Sequence, residues 1–192
     1  MQKRVLLIFG HPTTDSLCGA LANSYIAAAE KAGHDVRRIN LAELSFDPLL
    51  RHGYAEPQEL EPDLVDAQKQ ITWAEHVVFV YPTWWGSMPA LLKGFLDRTF
   101  LPGFAFKYHK RSPFWSRLLA GRTAELLVTM DTPPLFNRFV NGSPGNKQMK
   151  RSVIQFTGMK PTRATSFGKV RGSSSARRAK WIAKAAKLGS EI

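Results

Sequence analysis

Two runs in this chain leave a strand no face to turn toward water. Val5-Leu6-Leu7-Ile8-Phe9, ended by Gly10, and His76-Val77-Val78-Phe79-Val80-Tyr81, ended by Pro82, lack the apolar/polar alternation of a half-solvated strand. Short, rich in β-branched and aromatic residues and cut off by turn formers, they read as strands covered by helices on both sides. Sheets of that kind are parallel, and parallel neighbours must be joined by crossover connections.

The segments between them supply those crossovers. Ser16 can cap a helix running to about Lys31, with Leu17, Leu21, Ser24, Tyr25 and Ala28 on one face and Gly33 as its stop. His34 to Leu41 reads as a second, more polar strand at the sheet's edge, and Phe46 to Pro62 as a long excursion before a helix from about Glu61 to Trp73. After the second apolar run, Ser87 is placed to cap a helix with Pro89 in its first turn, continuing through Leu91, Leu92, Phe95 and Phe100. Phe104-Ala105-Phe106 predicts a small hairpin over the sheet's end. Thr123 to Met130 is a fourth strand, Asp131 to Gly145 a Pro-rich loop, and Lys147 to Phe156 a helix. Thr162 to Phe167 is a fifth strand, and Ser173 to Leu188 a closing basic helix.

Five strands alternating with helices predict one α/β domain over residues 1–192. The expected architecture is a three-layer flavodoxin-like fold, a five-stranded parallel sheet of order 2-1-3-4-5 with helices on both faces. Ligands in such sheets sit at the C-terminal ends of the strands where the order reverses, between strands 1 and 3. That rule singles out Gly10 to Cys18 and Pro82 to Ser87 before any motif is considered.

Composition narrows the class. Lys and Arg exceed Asp and Glu by 12, and from Lys150 onward there are 11 basic residues against Glu191 alone. A basic C-terminal quarter can attract nucleic acid, anionic lipid or a polyanionic cofactor, but no nucleic-acid motif accompanies it, and only Phe156 and Trp181 are near it for base stacking. In the closing helix Trp181, Ile182, Ala185 and Leu188 are spaced to pack, which leaves Arg177, Arg178, Lys180, Lys184 and Lys187 for water. A single cysteine, Cys18, excludes an internal disulfide and a Cys-built zinc site, and the five histidines hold no pair at metal-ligand spacing. With no apolar run approaching the roughly 20 residues of a membrane helix and no signal segment, the expectation is a cytoplasmic protein.

The first loop, Gly10-His11-Pro12-Thr13-Thr14-Asp15-Ser16-Leu17-Cys18, combines hydroxyls, an imidazole and the free N–H groups of a helix start, the makings of an anion site. It contains neither GxGxxG nor a P-loop. In the second loop, Trp84 and Trp85 cannot both point inward from an extended segment, so something flat is expected to cover at least one. One tryptophan is expected to meet that ligand and the other to pack beneath.

The stretch from Tyr81 through Pro82-Thr83-Trp84-Trp85-Gly86-Ser87-Met88-Pro89 to Phe104-Ala105-Phe106, together with the first strand ending Gly10-His11-Pro12, resembles the NAD(P)H:quinone oxidoreductase family. This is the DT-diaphorase-like branch of the flavodoxin superfold. The resemblance implies a flavin, with NADH or NADPH as hydride donor and a quinone-like acceptor taking the same seat in ping-pong fashion; the short chain, with no extension beyond the fifth helix to shelter an adenosine half, makes FMN the expectation and FAD the alternative. It implies that the flavin phosphate meets His11, Asp15, Ser16, Leu17 and Cys18. The ring edge would meet Pro82, Thr83, Trp84, Trp85 and Gly86, with Met130, Asp131 and Thr132 at the pyrimidine end. Trp85, Phe104, Phe106 and, from a partner subunit, Phe136 are the candidate pocket walls of a homodimer. The alternative is a flavin-binding regulatory subunit of a potassium-efflux transporter or another acidic partner, membrane-associated through that partner. The chain departs from the family pattern at Cys18, where members often carry Asn. Its loop Thr129 to Arg138 also lacks the family's Gly-rich sequence and Tyr/His pair.

Overall fold

A computed structural model describes residues 1–192. In chain order the elements are β1 (Arg4–Phe9), α1 (Leu17–Lys31), β2 (Asp35–Asn40), α2 (Pro62–Trp73), β3 (His76–Pro82), α3 (Ala90–Thr99), β4 (Phe106–Tyr108), β5 (Trp115–Arg117), β6 (Thr123–Met130), α4 (Pro134–Phe139), α5 (Pro144–Lys147), β7 (Lys160–Gly168) and α6 (Ser175–Ser190). A π-helical stretch, Gln148–Gln155, continues α5. The main sheet is wholly parallel in the order β2-β1-β3-β6-β7, the expected 2-1-3-4-5 when its own strands are counted.

Strand periodicity divides the core in two. Val5, Leu7 and Phe9 of β1 and Val78 and Val80 of β3 face α1 and α6, where Leu21, Tyr25, Ala185 and Leu188 close over them. Leu6, Ile8, Val77, Phe79 and Tyr81 face the other way, onto Leu64 and Ile71 of α2, Leu92 and Phe95 of α3, and Met149 and Ile154 of the π-helical stretch. All seven residues of β3 are buried, as the central strand must be, whereas β2 at the edge alternates. On α6 the packing stripe and the solvated basic face lie as their spacing predicts.

The excursion before α2 is pinned by a charge. Arg98 of α3 is fully buried, pairs with Glu61 at 2.9 and 3.2 Å, and donates to the Asp47 and Glu59 carbonyls at 2.6 and 2.8 Å. The N-terminal end of the sheet is tied by a second charge cluster. Glu125 of β6, fully buried, accepts from Tyr25 Oη at 3.1 Å and from an Arg163 guanidinium nitrogen at 3.1 Å, with His76 Nε2 at 3.7 Å. Arg163 reaches on to the Leu188 carbonyl and Glu191, so the cluster also holds down the end of α6.

Four local expectations are corrected. Ser87 does not cap α3. Pro89 stands at the cap position with no side-chain cap, and the Ser87 hydroxyl donates instead to Gln148 Oε1 at 2.6 Å. The Pro-rich loop contains α4, which Pro134 opens as a first-turn proline can. The closing helix starts at Ser175, capped by Ser174, whose Oγ accepts the Arg177 N–H. The short hairpin exists as β4 and β5, but Phe104 and Ala105 precede it, and Trp115 of β5 stacks on Phe156 with ring centroids 4.6 Å apart.

Candidate functional site

The site is built from three loops at the C-terminal ends of β1, β3 and β6. Beyond β1, the Gly10 N–H donates to the Val80 carbonyl at 2.8 Å, after which the chain leaves the sheet. The His11 ring accepts the Thr13 N–H at its Nδ1, 3.0 Å away, and lies between Phe9 and the edge of Trp84, with centroids 6.2 and 6.1 Å distant. Ser16 caps α1 by accepting the Gly19 N–H at 3.1 Å and donates its own proton to the Thr13 carbonyl. The N–H groups of Leu17 and Cys18, in the first turn, have no helical carbonyl to receive them and carry the positive end of the helix dipole. Asp15 is exposed and does not line the cavity.

The second loop is a tight turn. Trp84 and Ser87 exchange both backbone hydrogen bonds, at 2.9 and 3.0 Å, and the two residues between them have positive φ, +50° at Trp85 and +76° at Gly86. This is the arrangement of a type I′ hairpin turn, for which Asn-Gly is the common choice. A tryptophan at the first position is strained there, and its ring is fully exposed. Trp84 is 45% exposed, so neither tryptophan packs beneath the site. The expectation that one would do so fails because the Trp84–Ser87 exchange lifts the whole turn off the sheet. The N–H groups of Trp85 and Gly86, at the tip, take no part in that exchange.

The third side is the end of β6. The Thr83 N–H donates to the Thr129 carbonyl at 2.7 Å, while the Thr129 hydroxyl meets Cys18 Sγ at 3.2 Å, tying β6 to both other loops. From the loop after β7, the Val170 N–H reaches the Met130 carbonyl and the Arg171 N–H the Asp131 carboxylate, at 3.3 and 2.7 Å. Together these loops enclose a cavity of about 200 Å³. Of the residues expected here, His11, Ser16, Leu17, Cys18, Pro82, Thr83, Trp84, Met130 and Asp131 line it, whereas Asp15, Trp85, Gly86 and Thr132 do not. Thr129 and Val170 also line it and were not anticipated. A polar residue closing an apolar strand was a usable sign for Thr129, but nothing in the polar edge strand points to Val170.

Burial pushes the Cys18 thiol up to about 11, against a partial offset from its Thr129 contact. At pH 8 native Cys18 should therefore react with a thiol-alkylating reagent about a hundredfold more slowly than in urea, from the smaller thiolate fraction alone. Native labelling as fast as in urea would show the thiol to be open.

The expected pocket walls scatter. Phe106 is held by Tyr108 and Phe156, at 5.1 and 5.0 Å, and lines a separate apolar groove of about 470 Å³ between α3, the hairpin and the π-helical stretch. Phe104 meets Phe100 edge-on and faces α2 instead. Within one chain neither reaches the cavity. Phe136 lies on α4, at the cavity's own end of the sheet and half-exposed. No group of three or more His, Cys, Asp or Glu side chains is placed to hold a metal ion, and no helix is long and apolar enough to cross a membrane.

Comparison with known proteins agrees with this geometry. The chain is 32% identical over 153 residues to the ribosyldihydronicotinamide dehydrogenase-like protein traD of Penicillium crustosum, covering 66% of this chain and 57% of that protein. It is 28% identical over 138 residues to NAD(P)H dehydrogenase [quinone] 1 of Rattus norvegicus, covering 60% and 50%. The chain thus spans little more than half the length of these curated relatives. Smu.1420 from Streptococcus mutans UA159 superposes with a TM-score of 0.84 at 27% identity, over 98% of this chain and all of that one. The profile of the family described as having a flavodoxin-like fold matches residues 3–189, and with that match on a sheet of this order the chain belongs to the flavodoxin-like family.

Proposed function

We propose that this protein is an NAD(P)H:quinone oxidoreductase that holds FMN in the cavity at the ends of β1, β3 and β6. The observation that carries the reading is the helix start on the cavity wall with a donor-bearing turn beside it. Leu17 and Cys18, in the first turn of α1, line the cavity and offer N–H groups and dipole to a phosphate, while the Trp84–Ser87 turn puts Trp84 on the wall and leaves the tip N–H groups of Trp85 and Gly86, just beyond it, without a partner in the exchange. Two relatives bear the names of nicotinamide or quinone dehydrogenases, in keeping with that chemistry.

When bound, the flavin would carry hydride from NADH or NADPH to the acceptor, the two substrates using one seat in turn. The chain's part is positioning. Ser16 fixes the helix start, Thr129 ties α1 to β6, and Trp84 with the His11 ring closes one side of the cavity. Reduction of a quinone to its quinol also takes up one proton, which water at the open mouth of the cavity would supply.

The reading extends to a homodimer. Tyr54 and Tyr108 line the 470 Å³ groove and are exposed, as is Phe114 in the hairpin loop, an apolar surface of the kind that marks a partner site. A second copy seated on that groove would let Phe106, out of reach of its own cavity, serve as a wall for its partner's. The chain purified with its flavin should be yellow, release a stoichiometric flavin of the mass of FMN, and sediment as a dimer at micromolar concentration. A colourless protein that takes up neither FMN nor FAD on incubation refutes the assignment, and a monomer refutes the shared site.

A further inference from the structure

The loop that leaves β7 is short, anchored and basic. Gly168 ends the strand so close to the Thr132 carbonyl that an added Cβ would fall 2.6 Å from its oxygen. Lys169 follows with φ at +57°, the left-handed region in which a lysine is strained and a glycine is not. The Val170 N–H then donates to the Met130 carbonyl at 3.3 Å, and the Val170 carbonyl accepts both the N–H and the hydroxyl of Ser173, at 3.1 and 2.7 Å. The Ser173 hydroxyl oxygen in turn accepts from Arg178 Nε at 2.8 Å, which ties a guanidinium of α6 to the residue that lines the cavity. One hydrogen-bonded path therefore gathers Lys169, Arg171 and Arg178 about Val170.

These three cations are exposed, and none of them pairs with a carboxylate. Asp131, the acid on the cavity wall, is engaged by the Arg171 N–H at 2.7 Å. Of the loop only Val170 lines the cavity, so the charges belong to its rim. An anion inside the cavity has the first turn of α1 to meet, whereas cations outside it suit an anion that projects from the mouth. A dinucleotide donor with its nicotinamide in the cavity leaves its adenosine half outside. In NADPH that half carries a 2′-phosphomonoester, with a charge of about −1.5 to −2 at neutral pH, which NADH lacks.

We propose that Lys169, Arg171 and Arg178 form a clamp for the 2′-phosphate of NADPH and make it the preferred hydride donor over NADH. This deepens the proposed activity and rests on it, since the donor must enter the cavity past this rim. The two guanidinium groups match a phosphomonoester with paired N–H donors, and the Lys169 ammonium adds a point charge. A lysine in the left-handed region gives up backbone stability that glycine would keep, and a charge needed at that place accounts for it.

The clamp is read first without turnover. Titration calorimetry of the purified protein at about 10 mM ionic strength, where charges act over about 30 Å, should show adenosine 2′,5′-bisphosphate binding at least about tenfold more tightly than 5′-AMP. The difference should shrink below about threefold at about 1 M salt. Anaerobic bleaching of the bound flavin then compares the donors, and the second-order rate constant for NADPH should exceed that for NADH at least about tenfold. The triple variant Lys169→Gly/Arg171→Gln/Arg178→Gln should bring both ratios below about threefold while the NADH constant falls less than about threefold. Its melting temperature should not fall, because glycine relieves the left-handed residue. The variant Lys180→Gln/Lys184→Gln/Lys187→Gln, which removes the same charge further along α6, should keep both ratios within about twofold of the parent. Equal affinity for the two nucleotides overturns the clamp. So does an equal loss of preference in the two variants, which would reduce the effect to general basicity. A first variant that binds FMN at least about tenfold more weakly and slows for both donors alike gives the cations to the flavin phosphate and overturns it too. A bound flavin that neither donor bleaches refutes the proposed activity, and the calorimetric ratio alone then decides whether the 2′-phosphate site exists.

Discussion

Arg163→Ala should cost about 3 kcal/mol of folding free energy, one of the largest losses a single substitution outside the sheet's apolar core can produce. The reason is the neighbour it leaves behind. Glu125 is fully buried in β6, and Arg163 is its cationic partner of long reach, donating to Oε2 at 3.1 Å and standing 3.1 Å from Oε1 in an ion contact without the alignment of a hydrogen bond. Tyr25 donates to the same carboxylate, and burial together with that carboxylate's charge raises the Tyr25 phenol, so it remains a donor. Once the guanidinium is gone, the buried carboxylate keeps only the Tyr25 phenol as a hydrogen-bond donor, with His76 Nε2 at 3.7 Å. About 3 kcal/mol, the low end of the usual range, is expected because the Arg163 side chain is about one third exposed and water can follow it in. The double variant Glu125→Ala/Arg163→Ala should be more stable than Arg163→Ala, since the stranded charge is then absent. Urea unfolding with an unchanged slope measures both. A single variant within about 0.5 kcal/mol of the parent, or a double variant less stable than the single, would show that the pair does not govern this end of the sheet.

The parts of the structure that were legible in the sequence are those where one physical demand dominates. A run such as Val77 to Tyr81, apolar on both faces, has only the centre of a parallel sheet to go to, and from that the strand order and the site's position follow. On α6, the spacing of Trp181, Ile182, Ala185 and Leu188 separates core from solvent with no competing signal. Legibility fails where two demands compete for one residue. Ser87 has the spacing of a cap, but its backbone is engaged by Trp84 and its hydroxyl by Gln148, 61 residues away. Phe106 sits in the stretch that resembles a cofactor-binding family, yet the stack of Trp115 on Phe156 draws it into another groove. Helix α4 gave no amphipathic stripe because it buries nothing, so Pro133-Pro134 read as loop. Val170 enters the cavity by a backbone bond to Met130, and backbone contacts leave no trace in residue type.

Trp85→Asn should make the protein without flavin more stable by about 1 kcal/mol and lower its affinity for FMN at least tenfold. The two effects have opposite signs because they arise from different properties of one residue. Trp85 holds φ at +50° in the first central position of its turn, a conformation that costs a bulky L-residue about 1–2 kcal/mol and asparagine much less. Its ring recovers none of that cost within the chain, since it is fully exposed. A strained, uncovered tryptophan persists where something outside the chain covers it, and beside this cavity the proposed flavin ring is the candidate. Loss of a stacking contact of about 1.4 kcal/mol corresponds to the tenfold change. Gly86→Ala gives the reverse pattern. Its φ of +76° disfavours any side chain, so stability should fall while the Trp85 ring remains. Thermal unfolding of the flavin-free protein reads the first quantity, and quenching of flavin fluorescence on titration reads the second. If Trp85→Asn lowers stability and affinity together, the ring is holding the turn rather than the cofactor. If affinity and turnover are both untouched, the flavin does not sit against this turn, and the donors of α1 serve some other anion.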